Sequence, residues 1–404
     1  MPDNYGISET WTVEIKGRNI KMECLRYGII AIGYNRPECM TRLLRALEKA
    51  DYKADRVMLI VSIDNSGRDD VWQAAEKCNW THGEKVIRTY PERMGLRAHV
   101  LRCGDFLEEY GLDAVAVFED DILPSPAFYN YMRQAVPYYQ DNEKIAGISL
   151  YMHRWNMIGN LPFQPAYSSR DVYFQQFAQS WGQIWLRQQW KQFRKWYEGE
   201  NAESALNQLP EHIRQWPDSS WLKYHIAYCV SEKKYFVYPY EALSTCYSEL
   251  GENNVKTTHF QVPMQLDATK EYCFTMPDKE SVCYDCYFER MYMAKYIQQE
   301  EIKDSELTVD IYGTKGINRT RYLLSSKRYS YQCLKSYALD VKPHENNVIL
   351  DVDGEGIYLY DQTQKGKIPP QNDNDTMTYY YRFNRGVYWL FRYKVGRILK
   401  RMKK

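Results

Sequence analysis

No stretch of about 18 consecutive apolar residues occurs in the 404-residue chain, so the sequence offers no membrane-spanning helix. Its first 25 residues carry Glu9, Glu14, Lys16, Arg18, Lys21 and Glu23 around no apolar core. No export signal is therefore expected, and the chain reads as cytoplasmic. Two phosphate-binding signatures are missing, G-x-G-x-x-G and G-x-x-x-x-G-K-[ST], which disfavours a dinucleotide dehydrogenase and a P-loop NTPase. Without a G-x-S-x-G elbow a serine hydrolase is disfavoured as well. Overall charge of one sign is lacking too, since 53 Lys and Arg face 52 Asp and Glu. Nine of the basic residues lie between Arg382 and Lys404, a segment with no acid. Removing them leaves 44 against 52, a net charge of −8, too acidic for a nucleic-acid binder. Ten scattered cysteines in a chain without an export signal read as reduced, mostly buried small hydrophobes. Cys283-Tyr-Asp-Cys286 is a lone C-x-x-C with no second pair, so a structural zinc is disfavoured.

What is present describes a globular protein of one large or two to three modest domains, with 44% hydrophobic and 26% charged residues. Aromatic residues reach 15%, 37 of them Tyr, a side chain suited to ligands with apolar faces and hydroxyls. The first 150 residues alternate apolar runs with amphipathic stretches. Strands are predicted at 28–33, 57–63, 86–89, 114–118 and 145–150, and helices from Pro37 and over 69–78, 95–110 and 126–139. Such alternation with short links argues an α/β protein built on a doubly wound sheet. Residues 151–262 lose the alternation and become rich in Trp, Tyr and Gln, the expected mixed second half of the same domain. Trp181, Trp185 and Trp190 fall near helical spacing and read as core. An accessory region is expected over 263–375, with a turn at 351–356 between strands 347–350 and 357–360. From 376 to 404 Val387, Phe391, Val395, Ile398 and Met402 form one apolar stripe among basic residues. A helix of that kind suits an anionic membrane face, or docking on the body with its basic side in water.

In an open α/β sheet, ligands bind beyond the carboxyl ends of the strands. Three polar clusters fall there: Tyr34-Asn35-Arg36, Asp64-Asn65 and Glu119-Asp120-Asp121. The three adjacent acids would repel one another without a cation or hydroxyl donors nearby. Hard oxygen ligands of this type suit Mg²⁺ or Mn²⁺ bridging to a diphosphate. The competing reading is a helix N-terminus, where Asp is common, although the next helix is expected only near Pro126.

The order Ile-Ile-Ala-Ile-Gly-Tyr-Asn-Arg-Pro (29–37), Val-Ser-Ile-Asp-Asn-Ser-Gly (61–67), Met-Gly-Leu-Arg (94–97) and Val-Phe-Glu-Asp-Asp-Ile-Leu-Pro-Ser-Pro (117–126) resembles a GT-A nucleotide-sugar glycosyltransferase. It is most similar to the N-acetylglucosaminyltransferase I-like group, whose acidic motif is also Glu-Asp-Asp. Ser180-Trp181-Gly182-Gln-Ile-Trp185, Trp221, Tyr238-Pro239 and His259 match features of bacterial relatives. The resemblance covers roughly residues 26–262. It implies that Arg36 lies near the donor nucleotide or diphosphate and that Asp64, with Asn65 beside it, meets the uracil edge. Arg97 would reach toward the diphosphate, Glu119 and Asp120 the ribose and sugar, and Asp121 would bind Mn²⁺ or Mg²⁺. His259 would approach the metal or diphosphate, with a structural histidine as the other reading. The group's inverting chemistry uses a carboxylate base from an acid-containing segment before a Trp. Here that segment is Trp216-Pro-Asp218-Ser-Ser-Trp221, not quite in register, which makes Asp218 the candidate, with Asp171 and Glu249 behind it.

The expected function is metal-dependent, inverting sugar transfer from a UDP-sugar to a saccharide, a lipid-linked surface glycan at an anionic membrane face. Two alternatives remain open: a nucleotidyltransferase, and a catalytically silent saccharide-binding or membrane scaffold. The first usually carries a Gly-rich, Lys-containing loop near its N-terminus, and the segment Ile32–Cys39 has one Gly and no Lys.

Overall fold

The structure is a computed structural model, which describes residues 25–248, 260–298, 302–316 and 320–369, the backbone of 11–15 and 18–22, and Val395. The chain divides into two compact units, Met1–Arg154 with Tyr167–Phe288, and Trp155–Ala166 with Glu289–Lys404. His259, Glu249 and, apart from Val395, the basic stripe of 376–404 lie outside the described residues.

The first unit is built on a nine-stranded sheet. Its strands are β1 (Tyr27–Gly33), β2 (Met58–Ile63), β3 (Lys85–Thr89), β4 (Ala114–Glu119), β5 (Ile145–Ser149), β6 (Val172–Gln175), β7 (Gln183–Leu186), β8 (Tyr235–Pro239) and β9 (Cys283–Tyr284). They run in the order β9-β6-β8-β5-β7-β4-β1-β2-β3. The pairs β3–β2, β2–β1 and β1–β4 are parallel, β7 lies antiparallel between β4 and β5, and β5 and β8 are parallel again. The expected α/β class and parallel sheet are thus present. Val172–Gln175, Gln183–Leu186 and Tyr235–Pro239 of the Trp- and Tyr-rich segment extend this sheet, whereas Trp155–Asn156 and Leu161–Pro162 pair in a small sheet of their own.

Continuous apolar runs make the central strands. Ile29, Ile30, Ala31, Leu59, Ile60, Val61, Val115 and Ala116 are all fully buried, as two-sided burial between helices requires. Helix α1 (Pro37–Glu48) starts on Pro37, whose fixed φ suits the first turn, and buries Met40, Leu43, Leu44 and Leu47. Each such side chain contributes about 1.5–3 kcal/mol by leaving water. Helices α2 (Asp70–Glu76), α3 (Leu96–Glu109) and α4 (Phe128–Tyr139) follow within a few residues of their expected bounds. Helix α5 (Arg187–Tyr197) lies so close to α3 that a Cβ on Gly104 would fall 1.9 Å from the Trp190 ring. Helix α6 (Leu222–Ser231) packs beside it, with the His225 ring stacked 4.1 Å from Phe193.

Two local expectations fail. Trp181, Trp185 and Trp190 share no helix, because Trp181 lies in the turn before β7, Trp185 on β7 and Trp190 on α5. Trp185 and Trp190 are buried in the core and stack at 4.1 Å, whereas Trp181 is only partly buried. The spacing of an aromatic run does not report its backbone when strand and helix follow without a break. In the second unit, the segment at 347–350 is a short helix, Asn346–Ile349, rather than a strand. The Asn347 side chain explains it by bonding the backbone of Asp340, Val341 and His344, which curls the chain locally. The expected second strand is present as Ile357–Lys365, in a four-stranded sheet with Leu307–Asp310, Tyr322–Ser325 and Tyr331–Tyr337.

Candidate functional site at the carboxyl edge of the sheet

From β1 the chain winds outward to β2 and β3 and then returns across to β4, so the strand order reverses between β1 and β4. That reversal leaves a crevice beyond the ends of these two strands. Arg36 leaves the end of β1, and Glu119, Asp120 and Asp121 lie at the end of β4, with Ile32 paired to Glu119 in register.

The acids do not begin a helix. Asp120 and Asp121 form the turn between β4 and a short strand, Ile122–Pro124, while α4 is capped at Ala127. That removes the helix N-terminus reading. The short strand pairs with Ser244–Cys246, and the Tyr247 N–H donates to the Asp121 carbonyl at 2.9 Å. Tyr247 in turn lies under the Arg42 guanidinium at 3.5 Å. Neither Arg42 nor Tyr247 was legible as part of this edge, because the pairing spans more than a hundred residues.

Arg36 grips the acids directly. Its Nη2 donates to Asp120 Oδ1, its Nε donates to Asp120 Oδ2 at 3.2 Å, and Nη2 lies 3.3 Å from Asp121 Oδ2. The Asp120 side chain is 5% exposed, whereas Arg36 and Asp121 keep 24% and 19%. Burial disfavours the ionised forms, so the Asp120 carboxyl is pushed up to about 6 despite Arg36. Glu119 is pushed up to about 8, by burial first and then by Asp121 and Asp120. On Arg36 burial acts against the charge, yet the carboxylates outweigh it and raise the guanidinium above its usual range. Asp120 and Asp121 thus share the Arg36 guanidinium, with Glu119 as a third acid next to them in sequence.

Asp64 and Asn65, at the end of β2, hold the neighbouring loop. Asp64 is buried and accepts backbone N–H bonds from Asn65 and Met94, both 2.8 Å, and from Gly95 at 2.9 Å. A carboxylate from another strand thus serves the start of α3, whose own N-terminal residue Gly95 supplies no cap. Asn65 donates to the carbonyls of Tyr90 and Pro91 and accepts from Gly67. Behind them Ser62 Oγ joins His99 Nε2 at 2.8 Å and Tyr90 Oη at 3.0 Å. Burial pushes His99 down to about 4, with Asp64 partly opposing. Over the same loop the Arg93 guanidinium lies 4.8 Å from the Tyr34 ring.

Arg97 points elsewhere. Its Nη1 donates to Tyr224 Oη at 3.0 Å, and that hydroxyl donates to Glu203 at 2.6 Å. The structure therefore ties Arg97 to α6 rather than to the Arg36 cluster. Asp218 sits fully exposed on the loop before α6, 3.3 Å from the buried Lys223 ammonium. Asp171 is engaged by Lys270 at 2.9 Å and by the Cys273 N–H at 2.7 Å.

The Ser180-Trp181-Gly182 motif lies beside the acids. Gln183 pairs with Val117, and a Cβ on the preceding Gly182 would lie 3.3 Å from the Phe118 ring, next to Glu119 in sequence. Trp181 stacks on Phe260 at 5.2 Å and meets Tyr151 edge-on at 4.8 Å. Gly182 has φ +93°, and a Cβ there would lie 2.5 Å from Ser244 Oγ, which donates to the Trp181 carbonyl. Among the described residues, no group of three or more His, Cys, Asp and Glu forms a ready metal cage. The donor set at Asp120 and Asp121 instead fits a hard cation held by one or two carboxylates plus substrate phosphates. No helix among the described residues is long and apolar enough to cross a membrane.

No family model matches the chain, and no curated protein matches it. Among solved structures, the chain is similar to the mannosyltransferase PcManGT from Pyrobaculum calidifontis, solved with GDP-Man and Mn²⁺. That match has 17% identity and a TM-score of 0.31, covering 43% of this chain and 47% of the other. A second similar structure is S. aureus TarS 1-349 with UDP-GlcNAc, at 12% identity and a TM-score of 0.35, covering 58% of this chain and 62% of the other. The chain thus spans less than two thirds of either protein's solved chain.

Proposed function

We propose that the protein is a glycosyltransferase of the metal-dependent, inverting type, moving a sugar from a UDP-sugar to a saccharide acceptor. The observation that supports it most is the meeting of Arg36 with Asp120 and Asp121 at the point where the strand order reverses. That crevice carries a cation for phosphate oxygens and hard anionic ligands for a divalent ion, both needed to bind and release a nucleoside diphosphate.

In this reading Asp121, with Asp120 beside it, holds Mn²⁺ or Mg²⁺. Such an ion supplies positive charge where the departing diphosphate gathers negative charge. Arg36 binds the diphosphate through its planar fork. Asp64 and Asn65 set the 90–95 loop against the nucleobase, and Glu119 and Trp181 border the sugar. The acceptor hydroxyl loses its proton to a carboxylate as its oxygen bonds to the anomeric carbon and the bond to the diphosphate breaks. Asp218 takes that role here, because Asp171 is spent on Lys270 and the Cys273 backbone. Arg97, tied to Tyr224, positions the α6 side of the cleft. His259 remains a proposed neighbour of the metal. The acceptor is a lipid-linked glycan, and the basic segment 376–404 draws the chain to the anionic inner face of a membrane.

The test is thermal stabilisation by nucleotides and nucleotide sugars, with and without Mn²⁺, on wild type and Asp121→Asn. A ligand at a hundred times its dissociation constant adds about 2.7 kcal/mol. Mn²⁺-dependent stabilisation by UDP or one UDP-sugar, lost in the variant, is expected. No shift with any nucleotide would refute the proposal.

A further inference from the structure

Arg36 stands where the proposed cation would have to bind. Its guanidinium is bidentate to Asp120 and 3.3 Å from Asp121 Oδ2, so it spans the two carboxylates that the metal assignment needs. Asp120 is nearly sealed at 5% exposure, whereas the Arg36 side chain keeps 24%. The residue is also the one before the first turn of α1, with non-helical backbone at φ −119° and ψ 81°. Its guanidinium can therefore swing from the acids to a ligand without disturbing a helix.

We propose that Arg36 is an internal counter-cation that closes the Asp120–Asp121 pair to a free divalent ion and opens it when a nucleoside diphosphate arrives. The inference rests on the donor-site reading above. A diphosphate offers the guanidinium fork paired anionic oxygens carrying more charge than the single carboxylate of Asp120 that it grips here. Once Arg36 turns to the phosphates, Asp121 regains an oxygen for the cation, and the excess of acid over base at the site falls on that ion. Metal and nucleotide then bind with positive coupling, and each raises the affinity of the other by the same factor. The device also keeps the carboxylates paired while the site holds no donor, which limits the repulsion among Glu119, Asp120 and Asp121.

The experiment is a titration of the full chain with Mn²⁺ alone, free ion followed by electron paramagnetic resonance, in wild type, Arg36→Gln and Arg36→Lys. The series is repeated at saturating UDP. Arg36→Gln should bind Mn²⁺ alone at least about tenfold more tightly than wild type, within the range of ordinary coupling. Arg36→Lys should gain less, since the retained ammonium still opposes the ion although it lacks the planar fork. UDP should tighten Mn²⁺ binding more in wild type than in either variant. If Arg36→Gln melts far below wild type, the comparison passes to Arg36→Lys, whose charge is retained. Variants that bind Mn²⁺ alone no more tightly than wild type, while UDP still promotes Mn²⁺ binding, would overturn the counter-cation role alone. A wild type that takes up neither Mn²⁺ nor UDP would overturn the donor site itself.

Discussion

Replacing Gly182 by Ala probes how the Ser-Trp-Gly motif is held beside the acidic turn. Gly182 has φ +93°, where an alanine is strained by about 1–2 kcal/mol. The new Cβ would also stand 2.5 Å from Ser244 Oγ and 2.9 Å from its Cβ. Ser244 cannot simply turn aside, because it is buried and its hydroxyl is bonded to the Trp181 carbonyl at 2.6 Å. Overpacking of this kind costs about 1–3 kcal/mol more. The sum is roughly 2–5 kcal/mol, a melting temperature at least about 4 °C lower for a unit of this size. Ser244→Gly added to Gly182→Ala should return the steric part and leave the backbone strain, so the two changes are not additive. Differential scanning calorimetry of Gly182→Ala, Ser244→Gly and the double variant, with UDP binding measured alongside, reads both effects. A single variant that melts within 1 °C of wild type would refute the argument from the turn.

Asp218→Asn should lower turnover at least about a hundredfold, as removal of a general base does, with UDP affinity nearly unchanged. Near-normal turnover would exclude Asp218 as the base. Asp64→Ala strips the acceptor from the N–H groups of Asn65, Met94 and Gly95, and should weaken UDP binding at least tenfold, with a melting temperature lower by several degrees. An unchanged UDP isotherm would show that the 90–95 loop takes no part. His153 and His225 are held by burial near pH 3, below the ordinary 6.5, so the unfolded chain binds their protons first as acid is added. The stability they support is complete above about pH 6.5 and lost as pH falls toward 3, by at most about 1.4 kcal/mol per pH unit for each. The His225 ring is walled by Phe193, Trp221 and Phe236, and the Ala146 backbone beside it opposes the effect of burial only in part. His225→Phe should therefore flatten the acid limb of the stability curve without large loss at pH 7, and an unchanged acid limb would count against this cause.

The amino-acid sequence alone determined the α/β class, the parallel strands and three polar clusters at strand ends. The reason is local: apolar runs of four to seven residues bounded by turn-forming residues are too short for most helices and read as buried strands, and the residues that follow such strands emerge at one edge. The helix of Met40, Leu43, Leu44 and Leu47 was legible for the same reason, since its period is its burial pattern. Tertiary structure decided what depends on partners far along the chain. It placed Arg36 on Asp120, 84 residues away, and Arg97 on Tyr224, 127 residues away. It turned the acidic triplet from a possible helix start into a turn braced by Tyr247. Asp64 became the acceptor that holds a loop 30 residues on. Trp185 and Trp190 met face to face from a strand and a helix that their spacing did not separate. A side chain's residue type limits the chemistry it can do, but the neighbour that engages its charge is chosen only when the strands are ordered across the sheet.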